Sequence, residues 1–200
     1  MPEILEILMG SKSRARIMRF FVLNPGKEFL FADVREKTQM TVGDVRKEVS
    51  AFEKIGLLTV TTRDRKKHYS LNEGFVYYNE LRNLYVKSNV YPQCTEVRHV
   101  KRIGSVKLAM ISGVFMNYQR SEIDLLIVAD DVSRAKLDQV IAAIEAEIGK
   151  EVRYMLLRSE DFQYRLDMMD RFLIEFFSGP HDAIINKVPR LSRFIAEMKR

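Results

Sequence analysis

Two stretches of this 200-residue sequence hold residues whose type and spacing invite chemistry. The first is Arg63-Asp64-Arg65-Lys66-Lys67, a basic cluster between the β-prone runs Leu57–Thr62 and His68–Leu71. It reads as the basic turn of a hairpin. Just upstream, Val45, Val49, Phe52 and Ile55 recur at helical spacing and mark a buried face. The positions they leave outside are Gly43, Asp44, Arg46, Lys47, Ser50 and Lys54. Thr41 is placed to cap the start of that helix, and Gly56 to end it. A cationic helix face followed by a cationic finger suits a polyanion. The bland alternative is a solvated basic turn. The second stretch is Ser121-Glu122-Ile123-Asp124, in which acids alternate at the mouth of the apolar run Leu125–Val128. Its bland alternative is two solvated acids where a strand starts.

The charge is not evenly shared. The chain has 33 Lys and Arg, 27 Asp and Glu, and a net charge of +6. Residues 1–90 account for +5 of it and residues 91–200 for +1. The excess lies with the first half, which is therefore the half expected to meet a polyanion. Forty-six per cent apolar residues supply one or two cores and argue against global disorder. A single cysteine, Cys94, excludes an intramolecular disulfide and a Cys-rich zinc site. His68, His99 and His181 are too scattered to suggest a metal centre. The opening residues lack the build of a signal peptide, and no apolar run approaches the roughly 20 residues of a membrane span. The expectation is a cytoplasmic protein without a membrane segment.

These residues need elements to position them. Ile4, Leu5, Ile7 and Leu8 start an apolar helical face, and Ile17, Phe20, Phe21 and Leu23 continue one until Asn24-Pro25-Gly26. A short helix ends near Thr38-Gln39, and the helix over 42–55 and the hairpin follow. Glu73 to Lys87 reads as a further helix, and Ser88–Gln93 as the natural break between two domains. The second half reads as strand 106–111, strand 121–128, helix 133–148, strand 151–157 and a helix with Ser159 as its cap. The aromatic stretch Asp170–Phe177, a last strand near 183–185 and an amphipathic helix over 189–199 follow. The fold class expected is α+β.

The order helix, short helix, turn, second helix, hairpin resembles a winged helix-turn-helix, with Gly56-Leu57-Leu58 as the entry to the wing. The resemblance implies a DNA-binding domain over 1–72, a linking helix and linker over 73–92, and contact with double-stranded DNA through Thr41, Gly43, Arg46, Lys47, Ser50, Arg63, Arg65, Lys66 and Lys67. DNA symmetry makes a homodimer the expected assembly, with the helix after the wing packing on a partner or merely bridging the domains.

Residues 93–200, through Ser121–Val128, resemble the minimal nucleotidyltransferase fold of the DNA polymerase β-like superfamily. The resemblance implies a Gly-Ser turn that cradles a triphosphate, two strand acids that hold Mg²⁺, and a third acid on the next strand. This chain departs from each part. Ser112-Gly113 reverses the Gly-Ser order. Glu122 stands where the shorter Asp is usual, although Asp124 is kept. Arg153 stands where the third acid belongs, and a cation there repels Mg²⁺. Arg153 could instead pair with Glu122 or Asp124 and replace the metal electrostatically.

The sequence thus supports a DNA-binding, transcription-regulator-like protein. Its second domain serves as a sensor or oligomerisation module, with no cofactor and no metal site, and Glu122 and Asp124 are vestigial. Ser112, Gly113 and Arg153 are candidates to hold a small anion or nucleotide. One alternative is a Mg²⁺-dependent nucleotidyltransferase acting on a protein or small molecule. Another is an antitoxin-like protein-interaction module.

Overall fold

The computed structural model describes residues 4–88 and 94–198. The protein is mixed α+β, with one antiparallel sheet and one mixed sheet. It divides into two compact units, residues 1–89 with 142–151, and residues 90–141 with 152–200. Most of the expected break, from 89 to 93, lies outside the described residues.

The first unit opens with α1 (Ile4–Met9) and α2 (Lys12–Val22). The Ser11 side chain accepts the Arg14 amide at 3.3 Å and so caps α2. Then come β1 (Glu28–Leu30), α3 (Phe31–Thr38) and α4 (Val42–Lys54). Thr41 caps α4 as expected, accepting the Asp44 amide at 3.1 Å. At its other end Gly56 adopts φ +77°, and the Leu57 amide reaches back to the Phe52 carbonyl at 2.9 Å. This left-handed closure turns the chain directly into the sheet. Val45, Val49 and Phe52 bury the inner face of α4 among α2 and α3, beside an aromatic group of Phe20, Phe21 and Phe29.

Strands β2 (Leu58–Arg63) and β3 (Lys66–Leu71) form the hairpin, and β1 adds to the far side of β3, giving the order β1-β3-β2. The short strand β1 is not apparent from sequence pattern. The hairpin also differs from its expectation. Arg63 pairs with Lys66, so the turn is only Asp64-Arg65, at φ +51° and +60°. Two successive left-handed residues match the twist of a hairpin. Lys66 and Lys67 are therefore strand residues, and they project to opposite faces of the sheet. Helix α5 (Tyr78–Ser88) begins later than the expected Glu73, after a turn that ties the Phe75 amide to the Asn72 carbonyl at 3.0 Å.

Two apolar expectations fail in this unit. Of the residues on α1, Leu5 is buried, but Ile4, Ile7 and Leu8 are 60–66 % exposed. Ile55, expected in the core, is also exposed, because the chain turns at Gly56 before it can face inward.

The second unit is built on β4 (Ser105–Ile111), β5 (Leu125–Asp130), β6 (Tyr154–Leu157) and β7 (Asp182–Asn186), in the order β6-β5-β4-β7. Strands β5 and β6 are parallel, and the other pairs are antiparallel. A parallel pair needs a crossover, and helix α6 (Arg134–Ile148) lies in that connection. Helices α7 (Ser159–Asp167), α8 (Arg171–Ser178) and α9 (Leu191–Met198) supply Phe162, Leu173, Phe176, Phe177 and Phe194 to a core with Leu108, Leu126 and Val128. The aromatic stretch on α8 is thus core.

Three of the boundaries that move bear on the candidate residues or their surroundings. Strand β5 starts at Leu125 rather than Ser121, so both acids precede it. Strand β6 starts at Tyr154 rather than Glu151. Ser159 is the first residue of α7 rather than its cap. Its hydroxyl bonds to Asp130 Oδ2 at 2.5 Å, and its amide to Asp130 Oδ1 at 3.0 Å. Asp130, at the end of β5, therefore satisfies the helix start in place of a local cap.

Candidate functional site

On the first unit, Arg46, Lys47 and Ser50 are exposed along the outer face of α4, and Gly43 is exposed in its first turn. The helix holds them there because Val45, Glu48, Val49 and Phe52 occupy the opposite, buried face. Arg46, Ser50 and Lys67 line one depression of about 370 Å³ between α4 and the hairpin, together with Glu53 and Tyr69. The tertiary structure thus brings together two helix positions and one strand position from the candidate set. Arg65 stands at the exposed hairpin tip, and Lys66 on the other face.

Two of the candidates are already engaged. The Thr41 hydroxyl donates to Asp44 Oδ2 at 2.7 Å while capping α4. Arg63 forms an ion pair with Glu28 on β1, so its charge is locally balanced. A third residue moves in the opposite sense. Glu48 looks like a surface acid in sequence, but it is buried and accepts from Arg14 Nε at 2.9 Å. It therefore adds no bare negative charge to the face that carries Arg46 and Lys47. Sequence reasoning missed Glu48. Its heptad-like position between Val45 and Phe52 was the available signal.

On the second unit, Asp124 is 2 % exposed and fully occupied. Its Oδ1 accepts from the Val114 amide at 2.9 Å and from Arg153 Nη2 at 2.9 Å. Its Oδ2 accepts from the Arg153 amide and from Arg153 Nε, both at 3.0 Å. The guanidinium meets the carboxylate edge to edge, which is the strong geometry for this pair. The backbone joins in. The Asp124 amide donates to the Arg153 carbonyl at 2.7 Å, and the Ser112 amide to the Asp124 carbonyl at 2.9 Å. The bond to Asp124 and its negative charge hold the Arg153 guanidinium above its ordinary value, against partial burial.

Gly113 makes this approach possible. It lies at φ +48°, and a Cβ there would sit 1.9 Å from Asp124 Oδ1. The glycine is therefore required for closeness to a side chain of the same chain. The anion site expected at Ser112, Gly113 and Arg153 takes a different form. The Ser112 hydroxyl donates to the Pro180 carbonyl at 2.7 Å, and Ser112 and Gly113 are buried. Gly113 closes on Asp124, and Arg153 binds the same carboxylate while its side chain stays half exposed.

The two acids part company. Glu122 is exposed and lines a cavity with Tyr118 and Arg120, whereas Asp124 is sealed. Because β5 begins only at Leu125, the alternation that would aim both carboxylates the same way is not imposed on them. These residues do not fit a Mg²⁺ ion. One carboxylate has its oxygens filled by Arg153 and Val114, and the other faces elsewhere. Among the described residues, no group of three or more His, Cys, Asp or Glu is placed to hold a metal. Among them also, no helix is long and apolar enough to cross a membrane.

Fold and site together define an α+β protein with two sheets, a cationic face on one unit and a closed acid–arginine pair on the other. Comparison with protein-family models, curated proteins and solved structures finds no match in any of the three.

Proposed function

We propose that this is a DNA-binding, transcription-regulator-like protein, in which the first unit is a winged helix-turn-helix that contacts duplex DNA. The observation that carries the reading is the exposed set Arg46, Ser50 and Lys67 around one depression, with Lys47 beside it and Arg65 at the hairpin tip. The order α2-β1-α3-α4-β2-β3 with sheet order β1-β3-β2 supports it. In this reading α4 enters the major groove and the hairpin lies along the flanking backbone or minor groove. Arg46 and Lys47 face bases or phosphates, while Arg65 and Lys67 neutralise phosphates. Arg63 and Thr41 support the surface more than they touch DNA. The assembly is a homodimer in the cytoplasm, reading two half-sites.

The second unit, in the same reading, is a nucleotidyltransferase-like domain acting as a sensor or oligomerisation module. The Arg153 side chain on Asp124 favours this over the enzyme reading, because the retained acid is committed to an internal cation. A protein-interaction module is the second reading worth keeping. The exposed Ile4, Ile7 and Leu8 on α1 favour it, since they offer apolar surface at helical spacing.

Fluorescence anisotropy with a mixed-sequence duplex, at several salt concentrations, tests the first reading. Neutralising Arg65, Lys66 and Lys67 to Gln is expected to weaken binding at least tenfold and to flatten the salt slope by about 0.9 for each phosphate that is no longer neutralised. Unchanged affinity in the triple variant would remove the hairpin from the interface. No salt-sensitive binding by the native chain would sink the DNA reading. Co-purification of a distinct protein that disappears when Ile7 and Leu8 become Ser would favour the interaction module.

A further inference from the structure

The segment between the short 3₁₀ turn Gly113–Met116 and β5 lines a cavity of about 350 Å³ in the second unit. Its walls are of two kinds. Tyr118, Phe172 and Phe176 give an apolar aromatic side, and Arg120, Glu122 and Glu175 give charge. The aromatic side is held by packing. Phe176 is buried, and its ring stacks on Phe172 with centroids 6.4 Å apart and planes 26° apart. The Tyr118 ring lies so close to Gly179 that a Cβ there would come within 2.9 Å of it. The Tyr118 amide is anchored to the Gly113 carbonyl at 2.8 Å, after a left-handed Asn117 at φ +51° turns the chain. The wall is therefore built rather than a chance gap between loops.

The charges are not equivalent. Glu175 already bonds Arg171 Nε at 2.6 Å. Arg120 and Glu122 make no side-chain hydrogen bond or ion pair among the described residues, although the Glu122 charge is felt by Arg171. One uncommitted guanidinium and one uncommitted carboxylate thus face the same cavity beside an aromatic wall. A simple anion entering there would meet Glu122 and Glu175, and a simple amine would meet Arg120. A molecule with a carboxylate, an ammonium and an apolar body satisfies all three features.

We propose that this cavity binds a free α-amino acid with a large apolar or aromatic side chain. Arg120 takes the α-carboxylate, Glu122 takes the α-ammonium, and the side chain lies against Phe172, Phe176 and Tyr118. The volume is at the small end of the range for small-molecule sites, roughly 300–1,000 Å³. It accommodates one such amino acid. The proposal stands independently of the DNA reading.

Isothermal titration of the full chain with L-phenylalanine and L-leucine tests it, with glycine, N-acetyl-L-phenylalanine, L-phenylalanine amide, inorganic phosphate and ATP in parallel. The expected result is saturable 1:1 binding of L-phenylalanine or L-leucine. Glycine and both blocked forms should bind about tenfold or more weakly. Arg120→Gln should weaken L-phenylalanine and abolish its advantage over the amide. Glu122→Gln should abolish the advantage over the N-acetyl form. Arg120 and Glu122 are themselves exposed, so circular dichroism should show both variants folded. The proposal is overturned if no free amino acid binds with a Kd below about 10 mM. It is also overturned if the blocked forms bind as well as the free ones, if both variants bind like the native chain, or if phosphate or ATP binds more tightly through Arg120.

Discussion

The two units use arginine in opposite ways. On the first, Arg46 and Arg65 point outward, with Lys67 near Arg46, and most of that charge is left to solvent or to a partner. On the second, Arg153 turns onto Asp124 and, with the Val114 amide, completes four hydrogen bonds around one buried carboxylate. The same side chain is left to water in one place and is bound to a buried carboxylate in the other. Backbone geometry decides which. A helix face and a two-residue hairpin turn leave cations in water. A left-handed glycine at 113 lets a carboxylate be buried within reach of a cation.

That contrast can be broken at Gly113. Replacing it with Ala puts a methyl group on top of Asp124 Oδ1 in a backbone region unfavourable to any side chain. Gly113→Ala should cost several kcal/mol, about 3–5, or prevent folding, as read by urea denaturation. A loss under about 1 kcal/mol would mean that the Asp124 arrangement is not tight.

A smaller effect should come from the pair itself. Arg153→Gln and Asp124→Asn, alone and together, form a double-mutant cycle. Because the Arg153 side chain is 53 % exposed, solvent screening reduces the coupling to about 1–2 kcal/mol. A coupling near zero would reduce the pair to a surface contact.

The cationic face should behave in the reverse manner. The triple Gln variant of Arg65, Lys66 and Lys67 should keep its unfolding free energy, read by urea denaturation, within about 0.5 kcal/mol of the native chain while losing DNA affinity. A large stability loss there would erase the distinction between docking charge and structural charge.

The smallest effect belongs to Asp130. Its bonds to the Ser159 hydroxyl and amide, and then the positive charges of Lys107 and Arg158, hold its carboxyl below the ordinary value. The folded state therefore gains from the ionised form above the ordinary carboxylate range. That gain is lost as pH falls through the lowered value. Thermal melts from pH 7 to pH 3 should show a shallower acid decline in Asp130→Asn than in the native chain. Identical slopes would show that Asp130 does not link folding to protons.

Much of the first unit was legible because its signals are local. Thr41 caps α4, Gly56 ends it, and the spacing of Val45, Val49 and Phe52 sets its inner face. What escaped depends on distant partners. Strand β1 exists because Glu28–Leu30 finds β3 some 40 positions along, with Glu28 opposite Ser70. Glu48 is buried because Arg14 reaches it. In the second unit the strands were found, but their ends were not. The acids at 122 and 124 looked like one site through their spacing alone, and the late start of β5 separated them.

The sequence by itself determined where the charge excess lies, that Val45, Val49 and Phe52 share the inward face of α4, and that a cation occupies position 153. These follow from residue type and short-range periodicity, which any conformation of the chain must respect. Only the tertiary structure decided that Arg153 rests on Asp124 rather than Glu122, that Gly113 is there to admit that carboxylate, and that Tyr118, Arg120 and Glu122 face a common cavity. Those outcomes depend on how segments meet, 113 and 153 on 124 and the 118–122 segment on α8, and such meetings are set by packing and not by any local pattern.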